Sequence, residues 1–310
     1  MSQYVSLLGS YVNGNYRTSI YNDGTKIRET LNEDDVQFIP AFAENCDVKI
    51  TDKCDGGCPM CYEGCTANGK HADLRNCILD FDSLHPYTEL ALNGNDLTHP
   101  DLIWFLEELK KRKVIANMTV NQKHLERNLD MIQRLVVDGL IHGLGISLVD
   151  PTPEFINKVK MFKNAVIHVI NGVVTAEQFE ALADNDLKVL ILGYKTRGRG
   201  HKYMEDNLEE IIENMHFTYN NLADLIPRFA VMSFDNLAIE QLNVRRLLPD
   251  DKWEEFYMGD DGDFTFYLDL VKGKFSKDSI APSDERYPLL KNIDDMFNEI
   301  RRKKSARNTE

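Results

Sequence analysis

Three cysteines in one short segment are the residues of this sequence best suited to chemistry. Cys54, Cys58 and Cys61 form a C-x3-C-x2-C pattern within the segment CDGGCPMC. Thiolates this close in sequence converge only if the chain loops around a common centre, and Gly56 and Gly57 permit such a tight loop. In a reducing compartment, three convergent soft ligands indicate a metal site, either zinc or iron–sulfur.

Cys65 leaves the type of metal site open. It extends the pattern to C-x3-C-x2-C-x3-C, which is compatible with a fully ligated cluster or a zinc site. A site with three protein ligands instead keeps one position open for chemistry, and this interpretation is favoured because no second CxxC pair follows. Cys46 and Cys77, the remaining two of the six cysteines, are interpreted as small buried residues.

The chain around the cysteines alternates between short apolar runs and longer amphipathic segments. Strands are predicted at 47–51, 89–92, 114–120, 144–149, 165–170 and 189–192, and helices at 100–112, 123–137, 153–162, 176–183 and 205–217. This alternation predicts an α/β fold, a partial (β/α)6 TIM-like barrel, with an open doubly wound sheet as the alternative. The cysteines follow the first predicted strand, and in barrels the active site forms at that end of the strands.

The two ends of the chain are predicted to carry small β-rich additions. In residues 1–45, β-prone runs are separated by the turn signals Asn13-Gly14 and Asp23-Gly24, which predicts an antiparallel meander. After about residue 220 the alternation stops, and residues 221–310 are interpreted as a C-terminal β/α cap. The predicted organisation is therefore a meander (1–45), a partial barrel (46–220) and a cap (221–310).

The segment CDGGCPMCY, placed after a first strand and followed by βα units, resembles the radical S-adenosylmethionine (radical SAM) enzymes over residues 46–200. The resemblance implies that Cys54, Cys58 and Cys61 hold three irons of a [4Fe–4S] cluster, and that S-adenosylmethionine binds the open fourth iron. It also implies a one-electron reductant, flavodoxin- or ferredoxin-like. The electron cleaves S-adenosylmethionine to a 5′-deoxyadenosyl radical, which abstracts hydrogen from a substrate. No cysteine follows residue 77, so no auxiliary cluster of the cysteine-rich kind is expected.

The resemblance also implies that residues at the ends of the strands bind S-adenosylmethionine. The candidates are Met60, Tyr62, Asn93, Gly94, Asn95, Asp96, Asn121, Ser147, Gly193, Lys195 and Arg197. The chain departs from the family at two places. Met60 stands where an aromatic residue is frequent, and Asn93-Gly94-Asn95 replaces a Gly-Gly-Glu motif, so that either Asn95 or Asp96 is expected to bind the amino group of the cofactor.

The net charge and the absence of long apolar runs bear on which partners are expected. The 36 basic and 50 acidic side chains give a net charge of −14, which argues against non-specific binding to nucleic acid. Without an apolar run near the ~18 residues that span a bilayer, and without a secretory signal, a cytoplasmic protein with no membrane partner is predicted.

The substrate and the activity have alternatives. A peptide or protein substrate is slightly preferred over a small metabolite, because β segments at both ends of the chain are suited to hold an extended chain. Two other functions stay open. One is a non-catalytic iron–sulfur or zinc protein that uses Cys65 as its fourth ligand, and the other is a binding module that holds S-adenosylmethionine without cleaving it.

Overall fold

The computed structural model describes residues 5–93 and 96–307, and its strands form two sheets. The strands are β1 (Leu7–Asn13), β2 (Tyr16–Tyr21), β3 (Lys26–Thr30), β4 (Asn45–Lys49), β5 (Glu89–Leu92), β6 (Ile115–Asn121), β7 (Gly143–Ser147), β8 (Ala165–Ile170), β9 (Lys188–Leu192), β10 (Val231–Phe234), β11 (Thr265–Asp269), β12 (Lys274–Ser276) and β13 (Tyr287–Pro288). The helices are α1 (Leu102–Lys111), α2 (Gln122–Arg127), α3 (Leu129–Val137), α4 (Pro153–Val159), α5 (Ala176–Leu182), α6 (Arg199–Asp206), α7 (Leu208–Leu225), α8 (Asn236–Leu242), α9 (Asp250–Phe256) and α10 (Ile293–Arg307). Among the described helices, none is long and apolar enough to cross a membrane.

The N-terminal addition is the antiparallel meander that the turn signals predict. β1 pairs with β2 and β2 pairs with β3, both antiparallel. Gly14 in the first turn has a φ of +61°, and a Cβ atom there would lie 1.8 Å from the carbonyl oxygen of Ile39. Only glycine fits this turn without displacing the chain that follows the meander.

The second sheet has ten strands in the order β10-β9-β8-β7-β6-β5-β4-β11-β12-β13. Neighbours are parallel from β10 through β4 to β11, and β12 and β13 are added antiparallel. The six predicted strands are its central strands, β4 to β9, which confirms a mixed α/β fold with a parallel sheet.

The predicted partial barrel is not confirmed. β10 pairs only with β9, and β11 returns beside β4 instead of beside β10, so the described strands form an open sheet with edges at β10 and β13. Hydrophobic periodicity specifies which residues are strands and which face is buried, but not whether the edges meet. Residues 221–310 supply β10 and β11 to this same sheet, and the boundaries near 45 and 220 stay a prediction.

The two faces of the parallel sheet differ sharply in composition. One face is buried under the helices and consists of apolar residues such as Val48, Leu92, Val120 and Ile146. The other face is half-buried, and over β4 to β8 it carries a group of polar residues that we call the polar face: Asn45, Asp47, Glu89, Asn117, Thr119, Asn121, Ser147 and His168. Toward β9 the same side is apolar, with Val166, Ile170, Leu190 and Leu192. The alternation along each strand assigns successive side chains to opposite faces.

The helices depart from the predicted bounds at two places. The segment predicted as one helix over 123–137 is two helices, α2 and α3, that meet at Asn128, whose side-chain amide donates to the carbonyl of His124 at 2.9 Å. The helix predicted at 205–217 is also two helices, α6 and α7. Because α6 begins at Arg199, its first turn lies directly after the loop that follows β9.

The meander covers the amino ends of the parallel strands. Lys26 of β3 lies 2.5 Å from the carboxylate of Glu89, the first residue of β5. The ammonium group of Lys188, the first residue of β9, donates to the carbonyl oxygen of Asp23 at 3.0 Å. Glu44, which is 1% exposed, accepts hydrogen bonds from Arg28 and Tyr16 of the meander just before β4 begins. The meander is therefore joined to the sheet by polar contacts.

Candidate functional site

The cysteine loop, residues 54–65, begins and ends in a short paired stem that continues β4. Along this stem the N–H of Asp52 donates to the carbonyl of Lys70 at 2.8 Å. The N–H of Cys54 donates to the carbonyl of Thr66, also at 2.8 Å. The N–H of Ala72 donates to the carbonyl of Ile50 at 2.9 Å. The chain thus leaves the carboxyl end of β4, forms the loop and returns alongside itself.

The three predicted cluster ligands lie on this loop as half-buried free thiols. Gly57 has a φ of +62°, as the tight loop requires, and the N–H of Gly56 donates to the sulfur of Cys54 at 3.3 Å. Burial raises the pKa of the Cys54 thiol, and the charges of Cys58 and Cys61 raise it further, so the three sulfurs interact electrostatically.

Within residues 5–93 and 96–307, no group of three or more His, Cys, Asp or Glu side chains is arranged to hold a single metal ion. The ligands of an iron–sulfur cluster bind separate irons, so they do not have to converge on one ion. Three free thiols on one loop are the donor set that an iron–sulfur cluster uses, and this chemistry fits the predicted group.

Cys65 interacts directly with one of the three cysteines. Its side chain is hydrogen-bonded to that of Cys61, which lowers the pKa of Cys61 and raises that of Cys65. The fourth thiol is therefore at the site and not merely close in sequence.

Arg199, which sequence reasoning missed, joins both halves of the cysteine loop. Its Nε donates to the carbonyl of Cys58 at 3.0 Å, its Nη1 to the carbonyl of Cys65 at 2.8 Å, and its backbone N–H to the carbonyl of Cys61 at 3.0 Å. Gly198 precedes it with a φ of +54°, and a Cβ atom there would lie 2.4 Å from the carbonyl oxygen of Tyr62. The concentration of basic residues and glycines at 195–202 was the only signal in the sequence.

Two further contacts hold the loop to helix α2. Asp55, which follows the first cysteine, lies 2.8 Å from Nη1 of Arg127 and 2.8 Å from Nε2 of His124. These hydrogen bonds, that of Arg127 foremost, lower the pKa of Asp55 to about 2. The Asp55 carboxylate therefore stays charged at neutral pH and fixes the first turn of the loop.

Asn121 connects the polar face to the loop. Its side-chain Nδ2 lies 3.7 Å from the sulfur of Cys58, and its Oδ1 accepts from the N–H of Lys123 at 3.0 Å, which caps α2. Ser147 is paired in register with Asn121 on one side and with His168 on the other. The structure therefore brings two of the predicted cofactor-binding residues together on the polar face, beside a cysteine.

Asp96 is the most unusual of the predicted residues. Its side chain is fully buried, and neither carboxylate oxygen has a hydrogen-bond partner among the described residues, which do not include its neighbours 94 and 95. Burial raises its pKa well above the ordinary value, because an isolated charge is poorly solvated there. Asn93 donates its N–H to the carbonyl of Val48 at 3.3 Å, whereas Gly94 and Asn95 lie outside the described residues.

The predicted residues after β9 lie close to Tyr62. The ammonium group of Lys195 lies 4.5 Å from the ring centroid of Tyr62 and 3.6 Å from the carboxylate of Asp235, the residue after β10. That carboxylate also accepts from the N–H of Gly193 at 2.8 Å. Lys195 therefore joins the loops after β4, β9 and β10.

Arg197 and Met60 each lie close to backbone groups of other segments. Arg197 donates to the backbone carbonyl oxygens of Ile280 and Ala281, so its guanidinium is already engaged by the C-terminal segment. The carbonyl oxygen of Met60 faces the start of α6, where it would lie 3.4 Å from a Cβ atom on Gly200. The backbone of Met60 therefore lies beside the start of the helix that carries Arg199.

The fold is similar to that of SuiB from Streptococcus suis. The crystal structure of SuiB bound to S-adenosylmethionine matches with a TM-score of 0.53 at 15% identity, over 85% of this chain and 68% of that chain. A second crystal structure of SuiB matches with a TM-score of 0.47 at 15% identity, over 78% of this chain and 61% of that chain. No family model matches the sequence, and no curated protein is significantly similar to it. The chain therefore shares the fold of SuiB over 85% of its length.

Proposed function

We propose that the protein is a radical SAM enzyme whose Cys54, Cys58 and Cys61 hold a [4Fe–4S] cluster. When bound, such a cluster supplies the electron that cleaves S-adenosylmethionine to methionine and a 5′-deoxyadenosyl radical, and this radical abstracts hydrogen from the substrate. The donor set supports the proposal, because the three thiols are free, half-buried and on one loop after the first parallel strand.

The observation that carries the proposal is the support of the cysteine loop. Side chains from four parts of the fold hold it: Arg199 of α6, His124 and Arg127 of α2, and Lys49 at the end of β4 with Tyr267 of β11. These contacts hold the loop from several sides and limit the movement of its thiols. Such preorganisation is what a reactive cofactor site requires.

Three of this chain's polar groups are suited to the cofactor. Asp96 offers a buried carboxyl group without a partner among the described residues, which is suited to an ammonium group such as that of S-adenosylmethionine. Asn121 and Ser147 present an amide and a hydroxyl on the polar face next to Cys58, where they can hydrogen-bond hydroxyl or carboxylate groups. We therefore propose Asp96 as the amino-group ligand; Asn95 lies outside the described residues and stays the alternative.

Anaerobic reconstitution tests the proposal. The protein is incubated with iron and sulfide, reduced with dithionite, and assayed for 5′-deoxyadenosine, while iron content and the EPR signal are followed. Cys58→Ala is expected to lose both cluster and product. Cys77→Ala is the matched control, because Cys77 lies outside the loop and its thiol donates to the carbonyl of Leu74. A wild-type protein that holds a cluster but forms no 5′-deoxyadenosine would refute the proposal.

The contact between Cys61 and Cys65 favours one second candidate, an iron–sulfur or zinc protein without an open position. Cys65→Ala separates the two candidates. The radical SAM proposal expects the cluster and its EPR signal to survive this substitution, whereas a site that uses Cys65 as fourth ligand loses its metal.

The partners follow from the same proposal. A one-electron reductant, flavodoxin- or ferredoxin-like, supplies electrons to the cluster. The substrate is a peptide or protein in preference to a small metabolite, since β1 and β3 are edge strands of the meander and offer unpaired backbone groups for strand addition.

A further inference from the structure

We propose that Arg199 is a positioning residue of the cluster site: it closes the cysteine loop before the cluster is bound, and its positive charge raises the reduction potential of the bound cluster. The second half of this inference rests on the proposed function. The first half concerns the loop alone and holds for the protein without a cluster.

The geometry of Arg199 supports a closing role. Its side chain bridges the carbonyls of Cys58 and Cys65, at 3.0 and 2.8 Å, which are the middle and the end of the loop. Its backbone N–H holds Cys61 between them at 3.0 Å. The planar guanidinium presents several donors in a fixed fork, so one side chain fixes two carbonyls at a defined separation. A lysine ammonium lacks that fork.

The charge of Arg199 is not neutralised by a carboxylate. The nearby acids of the loop already have partners, since Asp55 pairs with Arg127 and Glu63 pairs with Lys49. The side-chain contacts recorded for Arg199 are to backbone carbonyls, and no described carboxylate forms a salt bridge with it. A cationic group beside the site stabilises the more negative, reduced state of a cluster, and this makes the potential less negative.

The experiment compares three variants. Arg199→Gln removes the charge and the fork, Arg199→Lys keeps only the charge, and Lys202→Gln is the control on the same helix, where Lys202 is exposed and pairs with Asp206. In the protein without cluster, hydrogen–deuterium exchange of residues 54–65 is expected to be faster in both Arg199 variants and unchanged in the control. Equal protection in Arg199→Gln and wild type would overturn the closing role.

The second readout uses the reconstituted protein. Loss of a residue that orients metal ligands typically weakens metal retention by about 10- to 100-fold, and we expect that range for removal of the cluster from Arg199→Gln by a chelator. An EPR redox titration should find a more negative potential in Arg199→Gln, with Arg199→Lys close to wild type. A potential unchanged in Arg199→Gln overturns the charge effect. If the wild type takes up no cluster, the proposed function fails, whereas the exchange experiment still decides the closing role.

Discussion

The ammonium group of Lys49, at the end of β4, lies 2.5 Å from the carboxylate of Glu63 in the cysteine loop. Lys49 is 1% exposed and also lies 2.5 Å from the carboxylate of Asp52. The hydroxyl of Tyr267 in β11 donates to the other oxygen of Glu63 at 3.1 Å. Through the carboxylate of Glu63, the loop that carries the cysteines is therefore joined to two adjacent strands, to β4 by the Lys49 cation and to β11 by the Tyr267 hydroxyl.

Lys49→Met is expected to lower the free energy of unfolding by about 1–3 kcal/mol, because it leaves two carboxylates beside each other without their cation. This loss of stability is at the low end of what removal of one partner from a buried ion pair usually costs. The reason is that Glu63 and Asp52 are 17% and 25% exposed, so water can solvate them. Urea denaturation of the protein without cluster measures this. The control is Lys53→Gln, an exposed lysine of the same stem, and an equal effect of both substitutions would contradict the prediction.

Gly198→Ala is expected to destabilise the protein and to impair cluster uptake, because the new Cβ atom would lie 2.4 Å from the carbonyl oxygen of Tyr62. Gly273→Ala is a matched control, since Gly273 has a φ of +65° but no heavy atom within 4 Å of the added Cβ. The control loses only about 1 kcal/mol for its positive φ. Gly198 combines a φ of +54° with a ψ of −129°, outside the left-handed helical region, so that backbone strain adds to the contact with Tyr62. Iron content after reconstitution should fall in Gly198→Ala alone. Equal losses in stability and iron for both variants would show that the contact with the loop is unimportant.

Asp96→Asn is expected to weaken the binding of S-adenosylmethionine by about tenfold or more, since an ammonium group loses its charged partner. The same substitution should stabilise the protein without cofactor by about 1 kcal/mol, because a buried carboxylate without a hydrogen-bond partner is removed. Calorimetric titration of the reconstituted protein and urea denaturation measure the two effects. Asp34→Asn, at an exposed position, is the control. Unchanged affinity would remove Asp96 from the cofactor site.

His168 on the polar face predicts a dependence of stability on pH. Burial, followed by the charge of Lys195, lowers its pKa from 6.5 to about 4. Between these values the unfolded chain binds the proton more readily than the folded one, so stability falls as the pH drops from 6.5 to 4, by at most about 3 kcal/mol. His168→Gln should flatten this part of the profile. His201→Gln, at a position 69% exposed, should leave it as in wild type. Parallel profiles for all three proteins would contradict the assignment.

The sequence predicted the central strands of the sheet and the ligand loop because both depend on local patterns. The alternation of apolar residues predicted β4 to β9. The spacing of Cys54, Cys58 and Cys61, together with two glycines, predicted the cysteine loop. The open edges of the sheet were not predictable in this way. β11 and β4 are more than 200 residues apart, and no local pattern encodes which strand lies beside which.

The same distinction applies to the site. Lys195 and Arg197 were predicted to bind the cofactor, but Arg199 was not. A basic residue in a glycine-rich segment is equally typical of a solvent-exposed loop, so the sequence alone did not indicate its role. Its role depends on the start of α6 at the carbonyls of the cysteine loop, which is a tertiary contact over more than 130 residues. Arg197, one of the predicted cofactor-binding residues, donates to the backbone carbonyls of Ile280 and Ala281, and its role toward a cofactor stays a prediction.

The meander contacts the sheet at the end opposite to the cysteine loop. Lys26, Asp23 and Asn22 of the meander contact Glu89, Lys188 and Asn164 at the amino ends of three strands, while the cysteine loop lies at the opposite, carboxyl ends. A reactant that reaches the cysteine loop is therefore expected to approach it from the carboxyl ends of the strands. A peptide held at an edge of the meander would have to extend along the polar face, from the amino ends to the carboxyl ends of the strands, to reach the cysteines.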